Sequence, residues 1–186
     1  MMSSVGSFLN GKRIYLRQLR DEDAQGCYPA WFNDNGICRG NSHHIFPYSN
    51  EDALDYIKFS RQTKDDLILA IVTIKGDQHI GNIALQHIHP IYRSADLSIV
   101  IGEMTYWGKG YGTEAARLIC DHAFLAMNLN RISCQTFENN HGMRKMATAL
   151  GMKEEGLRRQ AAFKEGKYID VIEYGIIRDE YGFPRS

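Results

Sequence analysis

The chain has 186 residues, 44% hydrophobic and 24% charged, with 22 basic and 22 acidic side chains and zero formal net charge. Those proportions fit one folded domain with a substantial core and argue against disorder. The zero balance gives no wide electrostatic footprint for nucleic acid, though it leaves room for a local basic patch.

Residues 1–11 are polar, contain Gly and Ser, and are expected as a loose arm on a single domain spanning residues 1–186. Alternation in Lys12–Arg20 predicts a first strand with Ile14 and Leu16 on one face. Acidic residues Asp21–Asp23 then open a helical stretch reaching about Asn33, with Cys27, Ala30, Trp31 and Phe32 as its apolar members. The segment Asn33–Ser49 is rich in Asn, Gly, His and Pro and reads as an irregular loop holding Arg39, His43, His44, Phe46 and Tyr48. Loops of this kind carry specificity more often than cores do. Asn50 is expected to cap a second helix ending near Lys64.

Three strands are predicted next, over 66–75, 79–89 and 93–103, with Lys75–Gly76–Asp77 as a turn. His87 and His89 share a face of the second but lack a third ligand and an acid, so they read as strand residues and no metal site is expected. The third strand runs into Trp107-Gly108-Lys109-Gly110-Tyr111-Gly112 and then an alanine-rich apolar pattern to Met127. Strand, glycine-rich turn and helix together present backbone N–H groups and the positive end of a helix dipole to an anion. Lys109–Thr113 is therefore expected to cradle a pyrophosphate. The spacing fits neither a P-loop, because no Gly-Lys-Ser/Thr follows, nor the G-x-G-x-x-G dinucleotide fingerprint. A ligand-free turn capping the helix is the competing reading.

A strand over Asn130–Glu138, a short helix capped by Asn139 and Asn140 and stopped at Gly151, and a hairpin over 152–163 and 167–178 complete the chain. The order implies an α/β (α+β mixed) fold, with a mostly antiparallel sheet of about seven strands and helices on both faces. Cys27, Cys38, Cys120 and Cys134 make no C-x-x-C pair, and Cys120 and Cys134 sit in apolar patterns as expected buried hydrophobes. No signal peptide is evident, and no apolar run approaches the ~20 residues of a membrane span, so a cytoplasmic protein with no membrane partner is expected.

The run Trp107–Gly112 resembles the acyl-CoA loop of the GNAT N-acetyltransferase superfamily, written Q/R-x-x-G-x-G/A. Gly110 and Gly112 match its glycines, and Trp107 stands at the Q/R position. The longer phrase through Glu114 and Ala115 is similar to the RimJ/RimL branch, which also holds spermidine and amino-sugar acetyltransferases. Leu16-Arg17 with Glu22-Asp23-Ala24, the segment Asn140–Met152, and Gly166 to Asp170 with Tyr174 resemble further stretches of that branch. The resemblance implies the GNAT fold, with acetyl-CoA as cosubstrate. It places the cosubstrate on Trp107, Gly108, Lys109, Gly110, Tyr111, Gly112 and Thr113 and along Ile99, Val100 and Ile101. Asn140 would bond the pantetheine arm, Arg144 and Lys145 would meet the charged end, and the loop Asn33–Ser49 would cover the acceptor.

Direct attack of an amine on a thioester needs a proton acceptor, a donor for the oxyanion and a departing thiolate. Glu103, at the end of the central strand, is the first choice of base, then Glu138 and His44. Many relatives carry a Tyr general acid where this chain has Ala147, and Ser/Ala where it has Met143. Tyr106, Tyr111 or a water are the substitutes, unless the reaction runs without an acid. Three functions stay open: acetylation of a small-molecule amine such as an amino sugar or its nucleotide, RimJ/RimL-type acetylation of a protein, or acyl-CoA binding without turnover. The loop has Asp34 but no acidic cluster, which weakens a polyamine acceptor. A homodimer is possible, since many relatives dimerise.

Overall fold

The computed structural model describes residues 6–183. Its strands are β1 (Leu9–Asn10), β2 (Ile14–Gln18), β3 (Leu67–Thr73), β4 (His79–His89), β5 (Ser94–Ile101), β6 (Arg131–Phe137), β7 (Lys153–Lys164) and β8 (Lys167–Ile177). They form one 8-stranded sheet in the order β1-β2-β3-β4-β5-β6-β8-β7. The helices are α1 (Tyr28–Phe32), α2 (Asn35–Cys38), α3 (Asn50–Gln62), α4 (Tyr111–Leu125) and α5 (His141–Leu150). Neighbouring strands are antiparallel except β5 and β6. The strand beyond the expected seven is β1, in which Leu9 pairs with Leu16 and Asn10 with Tyr15. That part of the anticipated loose arm is thus a sheet edge; residues 1–5 lie outside the described residues.

Helices cover both faces. Ala115, Ala116, Ile119, Cys120, Ala123 and Phe124 recur at helical spacing along α4 and pack with α5 against Ile14, Leu16, Leu97 and Ile132. The other face carries Tyr15, Ile68, Ala70 and Val72 beneath Tyr28, Trp31, Ala53 and Ile57 of α1 and α3. Strand β3 lies between the two cores, which is why its sequence is a continuous apolar run and not an alternation. Burial raises the thiol pKa of Cys120 and pushes that of Cys134 up to about 12, so both act as small hydrophobes.

Three local expectations change. The helix expected to reach Asn33 is a 3-10 turn over Asp21–Gln25 followed by α1, with extended Gly26 between them and Pro29 in the first turn of α1. Inside the loop, Asp34 accepts from Ile37 N at 2.9 Å and caps the short α2. The cap of α3 is Ser49 and not Asn50, because Ser49 Oγ accepts from Asp52 N at 3.1 Å while Asp52 accepts from Ser49 N at 2.8 Å. At α5 the reading agrees with the structure: Asn140 accepts from Met143 N at 3.1 Å, and Gly151 closes the helix at φ +86°.

One feature of the sheet positions the site. Strands β5 and β6 pair only from Ser94 with Arg131 to Asp96 with Ser133. Beyond that point Leu97–Ile101 and Cys134–Phe137 diverge, which opens a wedge at the C-terminal end of β5.

Candidate active site

The glycine turn stands beside that wedge. Gly108 and Gly110 have φ of +69° and +81°, values that glycine adopts without the strain an L side chain would bring. Gly112 has no such requirement, and a Cβ there would meet Ile99 at an ordinary 3.6 Å. The backbone N–H groups from Gly108 to Thr113 donate to no acceptor among the described residues. They converge at the start of the fifteen-residue α4, where the helix dipole is positive. This is the donor set an anionic diphosphate requires.

Arg13, which carried no signal in the sequence, braces the loop. Its Nε donates to Glu114 at 2.7 Å, its Nη1 donates to the Lys109 carbonyl at 2.8 Å, and its guanidinium lies 4.4 Å over the Tyr111 ring. Trp107 serves the loop from the other end, its indole donating to the Ile101 carbonyl at 2.8 Å. Tyr106 donates to Gln78 at 2.8 Å and packs edge-on against Tyr111. Both phenols considered as substitute acids are thus parts of the loop's support.

The wedge exposes peptide groups. Gly102 N donates to the Ile80 carbonyl at 2.9 Å. Since N–H and C=O alternate sides along a strand, Val100 also turns its groups to β4, Ile99 turns its N–H and C=O to the opening, and Ile101 turns its N–H there while its carbonyl is taken by Trp107. An extended amide-bearing chain laid there would extend the sheet. The side chain of Val100 packs into the second core, and those of Ile99 and Ile101 pack into the first.

Glu103 stands half-buried just past the end of β5 and accepts a hydrogen bond from Trp31 Nε1 at 3.1 Å. The Trp31 ring covers Gly102 so closely that a Cβ there would fall 1.9 Å from it. Gly102→Ala should therefore displace Trp31 and release Glu103. The expected cost is at least about 1–3 kcal/mol of stability, as for other overpacked sites, together with a loss of turnover. Urea denaturation and initial rates measure the two separately.

The remaining candidates divide. Asn140 Nδ2 donates to the Gly40 carbonyl at 2.9 Å while its oxygen caps α5, so its side chain ties the acceptor loop to α5. Arg144 donates to the Glu138 carbonyl at 3.2 Å and to Tyr174 at 3.4 Å. Lys145 is exposed on α5, Glu138 is exposed beyond β6, and His44 is exposed with φ +65°. Buried Ala147 belongs to the first core, where a Tyr side chain would need space this packing does not leave. Lys164, at the tip of the β7–β8 hairpin, donates to the His43 carbonyl at 2.6 Å and pins the loop from its far side. Desolvation and the charge of Lys164 lower the pKa of His43. Phe32, Ser42, His43, His44, Ile45, Phe46, Pro47, Tyr48 and Asp52 line a cleft of about 350 Å³ beside this loop.

The model of the acetyltransferase (GNAT) domain matches residues 13–153. The chain belongs to the GNAT acetyltransferase family. It is 28% identical over 178 residues to the uncharacterized N-acetyltransferase p20 of Bacillus licheniformis, covering 91% of this chain and 96% of that one. Among solved structures, the spermidine N-acetyltransferase of Vibrio cholerae in complex with CoA and spermine superposes with a TM-score of 0.80 at 23% identity, over 91% of this chain and 98% of that one. RimL, a ribosomal L7/L12 alpha-N-protein acetyltransferase in complex with CoA, gives a TM-score of 0.80 at 16% identity, over 90% and 95% of the two chains. This GNAT protein is an N-acetyltransferase, and its cosubstrate is acetyl-CoA. The unpaired N–H groups at the glycine turn and the outward-facing peptide of Ile99 have the chemistry that molecule's diphosphate and amide-bearing arm would need.

Proposed function

We propose that the enzyme acetylates the primary amine of a small molecule, with Glu103 as the proton acceptor. Acetyl-CoA supplies the activated acetyl group. The N–H groups of residues 108–113 hold its diphosphate, and the wedge edge at Ile99 and Ile101 orients its arm, which brings the acyl end toward the mouth where Glu103 stands. Trp31 keeps the Glu103 carboxylate turned to that mouth. An amine must lose a proton to attack, and a carboxylate at this place takes it directly or through one water. Arg144 and Lys145 lie on α5 on the same side of the sheet as the loop, where cations favour the cosubstrate's outer phosphates.

The observation that carries the acceptor class is the loop Asn33–Ser49. It is tied down at Gly40 and His43, and the cleft beside it has room for a compact ligand. Its aromatic and hydroxyl groups suit a sugar. Its nearest acids are already engaged, Asp34 by Ile37 N and Asp52 by Ser49, which favours an amino sugar or its nucleotide over a polyamine. Small-amine chemistry is also that of the spermidine acetyltransferase this fold resembles. A second reading, acetylation of a protein N-terminus or side chain, rests on the sheet face beside α1–α3. There Ser133, Gln135, Glu173 and Arg158 leave an open strip that an extended peptide fits.

Thiol release from acetyl-CoA, measured with amino-sugar nucleotides, amino sugars, spermidine and short peptides, separates the two. The reading expects the highest kcat/KM with a sugar amine. Turnover confined to peptides would establish the second reading in its place.

A further inference from the structure

We infer that Arg13 is a positioning residue for acetyl-CoA, which it serves by cancelling the charge of Glu114 beside the diphosphate loop. The inference rests on the proposed placement of the diphosphate. Glu114 lies in the first turn of α4, next to the N–H groups that bind the anion. A carboxylate there complements the helix dipole but repels a diphosphate.

The structure confines that carboxylate. Its Oε1 accepts from Lys12 N at 2.7 Å and Arg13 N at 2.8 Å, and its Oε2 accepts from Arg13 Nε at 2.7 Å. The Glu114 side chain is 16% exposed and the Arg13 side chain 45%. Arg13 has a second hold on the loop, because its Nη1 donates to the Lys109 carbonyl and ties the turn to the residue that precedes β2. The same guanidinium thus removes two negative ends, a carboxylate and a carbonyl, from competition with the anion.

A purely structural staple between β2 and α4 predicts something different from charge cancellation, and paired variants separate them. Arg13→Gln leaves Glu114 charged beside the anion. Glu114→Gln keeps an acceptor for both backbone N–H groups. The double variant R13Q/E114Q has lost the staple but carries no stray charge. Calorimetric titration with acetyl-CoA is done on each protein, alongside the KM for acetyl-CoA, the KM for the acceptor and the unliganded Tm. R13Q should bind about ten-fold more weakly, the order expected of one uncompensated charge at a half-exposed anion site. The change should fall on the KM for acetyl-CoA and not on that for the acceptor, and it should shrink as salt rises. The double variant should return to within about three-fold of wild type, even though its unliganded Tm stays below wild type. Wild-type affinity in R13Q, or a double variant that binds no more tightly than R13Q, would overturn the inference while leaving the loop assignment standing. A wild-type protein that gives no heat with acetyl-CoA would overturn both.

Discussion

Glu103→Gln is expected to lower kcat by about 10²–10⁴-fold, the usual contribution of a positioned general base. The substitution isolates the chemistry. Glutamine has the same shape, and its carbonyl oxygen can keep the hydrogen bond from Trp31 Nε1, so the packing of Trp31 on Gly102 survives. Unfolding midpoint and acetyl-CoA affinity should then stay at wild-type values while turnover falls. The residual rate should climb with pH, because the acceptor's ammonium sheds its own proton in alkaline solution and then needs the base less. A variant turning over within about three-fold of wild type at pH 7 would remove Glu103 from the reaction. Glu138 would be the next candidate.

The largest stability effect should come from Asp23. Its carboxylate takes both ends of the Arg17 guanidinium at 2.8 and 2.7 Å, accepts from Arg20 N at 2.8 Å and lies 3.3 Å from His79 Nδ1. The Arg17 and Asp23 side chains are each 7% exposed. Asp23→Ala leaves a buried guanidinium without its partner, which costs about 3–5 kcal/mol at comparable sites. Burial by itself would raise the pKa of this carboxyl. The hydrogen bonds from Arg17 and His79 outweigh burial and hold it far below the usual carboxylate range. A depressed carboxylate contributes stability that is fully present above the unfolded value of ~3.9 and is lost as pH falls from there toward the native value. Wild-type stability should therefore drop below about pH 4, and the Asp23→Ala protein should show a shallower acid dependence. Urea titrations at pH 7, 5 and 3.5 provide the test. A loss under about 1 kcal/mol at pH 7 would mean that the pair is no more than a surface-like bridge.

Much of the architecture was legible because its signals are local. Alternation marks β2 and β4, alanine spacing marks α4, and Asn140 and Gly151 bracket α5. The glycine turn was legible as a run of free donors at a helix start for the same reason, since its N–H groups belong to consecutive residues. Of its three alternate glycines only Gly108 and Gly110 take positive φ, and Gly112 is ordinary helix. What stayed hidden is non-local. Arg13 meets Glu114 across 101 residues of chain, and Trp31 reaches Glu103 across 72. Nothing in either neighbourhood announces its partner. The direction of the Val100 peptide depends on which edge of β5 pairs with β4, a tertiary fact that alternation alone does not supply. Ser49 could have been recognised as the cap of α3 from its i+3 Asp52, but Asn50 offered an equally good cap residue one position later.

The central claim is that the glycine turn and the opened β5–β6 edge hold acetyl-CoA. It is tested most directly by thermal unfolding of the wild-type protein with saturating acetyl-CoA, CoA or ATP, repeated on Gly110→Val. A ligand bound only by the native state adds about 2.7 kcal/mol at a hundred times its Kd. The account predicts a raised midpoint with acetyl-CoA and with CoA, a smaller rise with ATP, and none with Gly110→Val, whose φ of +81° a β-branched side chain does not tolerate. An unchanged wild-type midpoint with both CoA ligands, or an undiminished shift in Gly110→Val, would contradict it.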